Sequence, residues 1–216
     1  MKTKKILWWL AIASFGIMVP FMAPYFTLDP AGSRVPVAPG TVQYPALLAH
    51  ILFAFIALVS GFLQFADRIR LRNPKLHRNL GKAYVASVFL SGLMSLVPLS
   101  CIENFAKAAS FLALAILWLF TSWKGYRAAV KHRIEEHRVW MVRSFGMTLV
   151  AVSGRLVVPL LLLAYYVLHG FSLPEGREKM VEEVLNANLW VGIVLNFAIV
   201  EWIVLRRMKG NQASGR

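Results

Sequence analysis

The stretch HRVWMVRSFGMTLVAVSGRLVVPLLLLAYYVL, residues 137–168, opens on His, Arg, Trp and Met and then turns apolar. After Arg143 only Arg155 carries a charge. At about 1.5 Å per residue, a helix of this length more than spans a hydrocarbon core of about 30 Å. Such a helix must tilt, bend or protrude, and Pro159 inside it predicts a kink.

The same kind of run recurs on both sides of this one. Six spans are predicted, at about 6–23, 45–66, 79–98, 106–123, 142–168 and 187–205. They are continuously apolar and not alternating, which selects helices over a barrel. Of 216 residues, 58% are hydrophobic and 16% charged, against about 25% charged in a soluble domain. The expected fold class is all-α: a single-domain, six-helix integral membrane bundle.

The net charge of +14 raises the question of nucleic acid, and its distribution answers it. Nineteen of the 24 Lys and Arg residues fall at the N-terminus, in loops 2–3 and 4–5 with their flanks, and at the C-terminus. Four, Arg34, Lys107, Arg177 and Lys179, fall on the opposite side, and Arg155 lies within a span. By the positive-inside rule both termini are expected in the cytoplasm, with the chain in a cytoplasmic (inner) membrane. The basic residues then face anionic lipid, and no nucleic-acid partner is implied. Trp8, Trp9, Trp123, Trp140 and Trp202 fall near the same predicted interface. PFMAPYF, residues 20–26, lacks a small-x-small cleavage site, so the first span is expected to be an uncleaved helix. The single cysteine, Cys101, excludes an intramolecular disulfide, a thiolate metal cluster and a CxxCH haem attachment.

Loop 1–2, residues 23–45, is rich in Pro and Gly and reads as irregular surface structure, with Pro45 suited to the first turn of the second span. Loop 5–6 is acidic, and a short helix from about residue 175 could run into the sixth span. The tail KGNQASGR, residues 209–216, reads as disordered.

A weak repeat links spans 2–3 to spans 4–5. Each pair is a hairpin whose basic loop ends in His-Arg: HRNLGKAYV from His77, and HRVWMVRSF from His137. Two hairpins of like orientation imply a pseudo-two-fold axis along the membrane normal and a pseudo-symmetric four-helix core of spans 2–5. Such an axis could bring His77 and His137 face to face. Both open helices, where the dipole favours neutral imidazole, the form that ligates iron or zinc. They are the candidate metal ligands. Two facing imidazoles could hold a haem iron axially, with Arg78, Arg138 or Arg143 taking the propionates. Zinc wants three or four ligands, and only His132 offers a third.

A second polar site is expected from His50 and Arg155. His50 lies roughly 8 Å below the outer start of its span, and Arg155 is roughly 20 Å from the inner side, a comparable depth. Ionisable groups within a bilayer cost at least about 2.5 kcal/mol. Arg155 is read as an anchor for an anion, or alternatively as a tie to carbonyls or to Glu201. Gln64 lies nearer the inner face and reads as an interhelical hydrogen bonder. GxSxG, HExxH and P-loop patterns are absent, so no enzyme class is indicated.

The ordered set His50, Gly61, Gln64; His77, Arg78, Gly81, Tyr84; His137, Trp140, Met141, Arg143, Ser144; Arg155 resembles the bacterial predicted membrane proteins grouped as domain of unknown function 2306. The resemblance covers about residues 45–165. It implies a multi-helix membrane bundle and no set activity. A more distant likeness is to the ascorbate-reducible transmembrane b-type cytochromes, which implies histidine pairs holding haem near each membrane face. Here the inner pair would be His77 and His137. His50 has only Ser110 at the repeat-equivalent place, unless His169 reaches back to it, so one haem, or none, fits better than two.

The leading functional expectation is a haem b-binding redox protein that passes electrons between a quinone and another partner. In that reading His50 would transfer a proton to bound quinone and Arg155 would hold its anion. The competing expectation is a non-enzymatic carrier or assembly protein that binds a small anion or anionic lipid.

Overall fold

The computed structural model describes residues 2–35, 37 and 40–214, and the side chains of residues 5–35, 37 and 40–209 among them. Among the described residues there are helices, turns and bends but no strand. The chain runs through α1 (Lys2–Met22), α2 (Gln43–Gln64), α3 (Asp67–Arg72), α4 (Pro74–Leu99), α5 (Phe105–Val130), α6 (Ile134–Thr148), α7 (Val150–Leu156), α8 (Val158–Leu168) and α9 (Gly176–Ser214). Two short 3-10 turns, Ala23–Thr27 and Pro30–Gly32, give form to the loop after α1.

Five helices are long and apolar enough to cross a bilayer, and the bent pair Val150–Leu156 and Val158–Leu168 brings the number to six. The protein is thus a multi-pass membrane protein embedded in lipid. The fifth span differs most from its expected form. It is three helices, broken at Leu149 and again at Val157, with a bend of 43° at the second break. Pro159 lacks an N–H and its ring presses on the preceding turn, which accounts for that bend. The tail expected to be disordered continues α9 to Ser214, because nothing between Arg206 and Ser214 is a stronger breaker than Gly210; residues 215–216 lie outside the described part. As expected, α9 begins close to residue 175, with Glu178 in its first turn.

The two expected hairpins are the closest helix pairs, α2 with α4 and α5 with α6. Their returning helices start sixty residues apart, α4 after Asn73 and α6 after Arg133. In α4, Pro74 occupies the first turn and the Asn73 side chain accepts from the Leu76 N–H, a favourable cap. This start is five residues earlier than the sequence indicated. His77 and His137 therefore both lie in the first turn of their helices.

One buried cluster joins the layers: Ala57, Leu58 and Phe62 of α2, Tyr84 and Val88 of α4, Trp118 of α5, Phe145, Met147 and Val150 of α6–α7, and Leu189 and Ile193 of α9. Leu7, Ala11, Phe15 and Met18 of α1 flank it. In lipid the hydrophobic effect does not drive such packing, and close approach of backbones matters more. Gly61 is one point of approach, since a Cβ there would fall inside the space of the Phe145 ring. Gly192 is another, with its Cβ position 3.1 Å from Gly154 Cα. Beside these contacts Asn188 donates to the Gly154 carbonyl and Asn196 to the Gly146 carbonyl, each at 3.1 Å, tying α9 to the broken span.

Candidate functional site

The centre of the four-helix core is polar. Tyr84 Oη of α4 lies 2.8 Å from both Ser144 Oγ and Thr148 Oγ1 of α6. Trp118 Nε1 of α5 donates to Thr148 Oγ1 at 2.9 Å, and Ser122 Oγ lies 2.6 Å from Ser144 Oγ. All five side chains are buried, Tyr84 to 1% and Ser122 and Ser144 to 0% exposure.

Proton counting orders this network. Thr148 gives its hydroxyl proton to the Ser144 carbonyl one turn back, at 3.2 Å. It must then accept from Tyr84. Tyr84 has one proton, so it must accept from Ser144, and by the same logic Ser144 accepts from Ser122. The chain Ser122 to Ser144 to Tyr84 to Thr148 has a single direction and ends on a carbonyl.

This network also sets the register of the two histidines. His77 is seven residues before Tyr84, and His137 seven before Ser144. Seven residues are nearly two turns, so each histidine lies on the same face as its hydroxyl, about 10 Å nearer the helix start. The Tyr84–Ser144 bond joins those faces, and His77 and His137 lie within electrostatic reach of each other.

The two rings differ in their bonds. His137 Nδ1 lies 2.8 Å from the Gly125 carbonyl. A carbonyl only accepts, so Nδ1 carries the proton and the neutral ring keeps its lone pair on Nε2. His77 Nδ1 is buried and has no hydrogen-bond partner. Gln64, read from the sequence as an interhelical hydrogen bonder apart from the depth of His50 and Arg155, belongs to this layer. Its Nε2 donates to the His77 carbonyl at 2.6 Å, and Gly81 leaves room for its amide.

The expected propionate partners are not equally available. Arg143 makes a bidentate bond to Glu201 of α9, Nε to Oε1 at 2.6 Å and Nη2 to Oε2 at 3.0 Å, and stacks on Trp140. Glu201 is thus the partner of Arg143, not of Arg155, because α9 packs against α6 at that level. Arg138 is bonded to Glu135 on the exposed side of α6. Arg78 is exposed, with no ion pair among the described residues. No group of three metal-ligating side chains exists among the described residues. His132 is held apart in the turn after α5, at φ 57°.

His50 and Arg155 do not form one site. His50 Nδ1 donates to the Ser91 carbonyl at 3.0 Å, and Ser91 Oγ donates back to the His50 carbonyl. These bonds close the α2–α4 hairpin at the end away from its connecting loop. Arg155 belongs to a different neighbourhood: its guanidinium lies on the Phe21 ring of α1, 3.6 Å from the centroid, and Nη1 donates to the Ala151 carbonyl. A comparable place along the spans did not imply contact, because His50 is bonded to α4 while Arg155 lies against α1. His169 does not reach back to His50 either. It is exposed, stacked on Tyr165 with Nδ1 against the Tyr165 carbonyl.

Sequence reasoning missed Ser122, Thr148 and Trp118. The available signal was the i, i+4 spacing of Trp118 with Ser122 and of Ser144 with Thr148, which places each pair on one helix face. A family model described as "Predicted membrane protein (DUF2306)" matches residues 47–204. No curated protein and no solved structure matches the chain, and the likeness to b-type cytochromes gains no support from these comparisons.

Proposed function

The chain belongs to the DUF2306 family of predicted membrane proteins, and on that premise we propose that it binds one haem b between His77 and His137 and serves electron transfer within the membrane. The observation that carries the reading is the register set by Tyr84 and Ser144. It supports two imidazoles side by side at one depth, one with its lone pair held free by the Gly125 carbonyl and the other with a buried, unpartnered nitrogen. A backbone carbonyl on the far nitrogen is the usual way of orienting a ligating histidine.

Haem would supply one-electron chemistry at its iron. This chain would supply axial imidazoles, Gln64 fixing the backbone of the His77 turn, and Arg78 with Arg138 at the rim for the propionates. Arg143 has a different task, to tie α6 to α9 through Glu201. Quinone remains the proposed partner, without the His50–Arg155 pairing first expected for it. The nineteen-to-four division of Lys and Arg supports an inner-membrane location with both termini cytoplasmic.

The test is an absorption spectrum of the detergent-purified full chain, expressed with haem supplied, air-oxidised and then reduced with dithionite. A sharpened Soret and α band, near-stoichiometric iron, and loss of both in His77→Ala and in His137→Ala are expected. A colourless, iron-free wild-type protein overturns the proposal.

A further inference from the structure

At the end of the bundle opposite the histidine layer, the structure assigns a second site: an oxyanion-binding site made by Arg155, Arg34 and Tyr25 around the Phe21 ring. Two guanidinium groups share that ring, Arg155 at 3.6 Å and Arg34 at 4.7 Å from its centroid. Their separation cannot exceed the sum of those distances. One phosphate or carboxylate group can bridge such a span.

The two guanidinium groups are donors only. Arg155 Nε is buried without a hydrogen-bond partner among the described residues. Arg34 is exposed and enters no ion pair among the described residues. Tyr25 is 5% exposed; its oxygen accepts from the Arg34 backbone N–H at 3.2 Å, which leaves its O–H proton to give. The neighbours that act electrostatically on Arg155 are Tyr25 and Arg34, with no carboxylate among them. The acid of this loop, Asp29, accepts from the Ala31 N–H and is committed to that turn. Two like charges beside an apolar ring, one carrying an unsatisfied buried donor, are a poor arrangement in lipid unless an anion completes them. The Phe21 ring attracts both cations without neutralising them.

The required group is an oxyanion, and it can come from a lipid head group or from a free anion. Both sources are tested on the full chain. Inorganic phosphate, titrated against chloride at constant ionic strength, is scored by the thermal unfolding midpoint. Phosphatidylglycerol is scored by native mass spectrometry of the protein released from mixed phosphatidylglycerol–phosphatidylcholine nanodiscs. A saturable phosphate response, weakened at least about tenfold in Arg34→Gln, supports the site with a free anion. Phosphatidylglycerol retention that falls in Arg34→Gln without a phosphate response supports it with a lipid. Arg34 is on an exposed loop, so this variant keeps the fold. Arg155→Lys retains the charge but not the fork, and is expected to bind more weakly than wild type and more tightly than Arg155→Gln. Wild type and Arg34→Gln that behave alike toward both probes overturn the inference.

Discussion

The direction of the central hydroxyl chain can be tested by removing its members one at a time. Thr148→Val keeps the shape of the side chain and removes the acceptor used by both Tyr84 Oη and Trp118 Nε1. Two buried donors are then stranded. A stranded buried donor costs about 1–3 kcal/mol in a protein interior, while single interhelical bonds in membrane proteins average about 0.6 kcal/mol. The expected loss is about 2 kcal/mol. Tyr84→Phe strands only the Ser144 proton, which can turn back to a carbonyl of its own helix, so about 1 kcal/mol is expected. Ser122→Ala removes the first donor and strands none, and should cost less than about 0.5 kcal/mol. Reversible unfolding in mixed micelles of rising dodecyl sulfate mole fraction gives these differences. The expected order is Thr148, then Tyr84, then Ser122. If Ser122→Ala proved as costly as Thr148→Val, the proton order would be wrong, and with it the account of why Thr148 is the sink of the network.

Three further outcomes are expected. Gly61→Ala places a methyl in the space of the Phe145 ring, which is itself packed on Phe62 and Phe65; a loss of about 1–3 kcal/mol, relieved by adding Phe145→Leu, is expected in the same unfolding assay, and a neutral substitution would count against this packing. Arg143→Gln leaves Glu201 without its partner; because the two side chains keep 27% and 24% exposure, the cost should stay below the midplane value of about 2.5–3.5 kcal/mol. The double change Arg143→Met with Glu201→Met should recover most of it, and failure to recover would point to a role for this pair beyond joining α6 to α9. Finally, the proposed orientation, with both termini cytoplasmic, predicts that a membrane-impermeant maleimide labels Cys101 after mild outer-membrane permeabilisation; labelling only after the inner membrane is broken would invert the topology.

The sixty-residue offset between the starts of α4 and α6 also explains why the His-Arg pairs recur. Each belongs to the first turn of a returning helix, seven residues before a central hydroxyl. The repeat then departs from symmetry where function or packing differs. Gln64 supports the His77 turn, while the Gly125 carbonyl, on the other hairpin, holds the His137 ring. The α4 helix runs unbroken to Leu99, while its counterpart breaks at Leu149 and Val157.

The six spans were legible in the amino-acid order because a bilayer imposes a length and excludes charge, and both constraints act on consecutive residues. The hairpin repeat followed from the same local signals, as did the kink at Pro159, while α4 and α6 start earlier than the apolar runs indicated and so take both histidines into their first turns. Rotation of each helix about its axis was not legible, since any face of a uniformly apolar helix suits lipid. Only the tertiary structure decided that Arg143 takes Glu201, that Gln64 joins His77, that His50 turns to Ser91, and that Arg155 meets Phe21 and Arg34. Those pairings depend on which backbones approach closely enough for a short polar side chain to reach, and small residues such as Gly61, Gly154 and Gly192 set that approach between helices far apart in sequence.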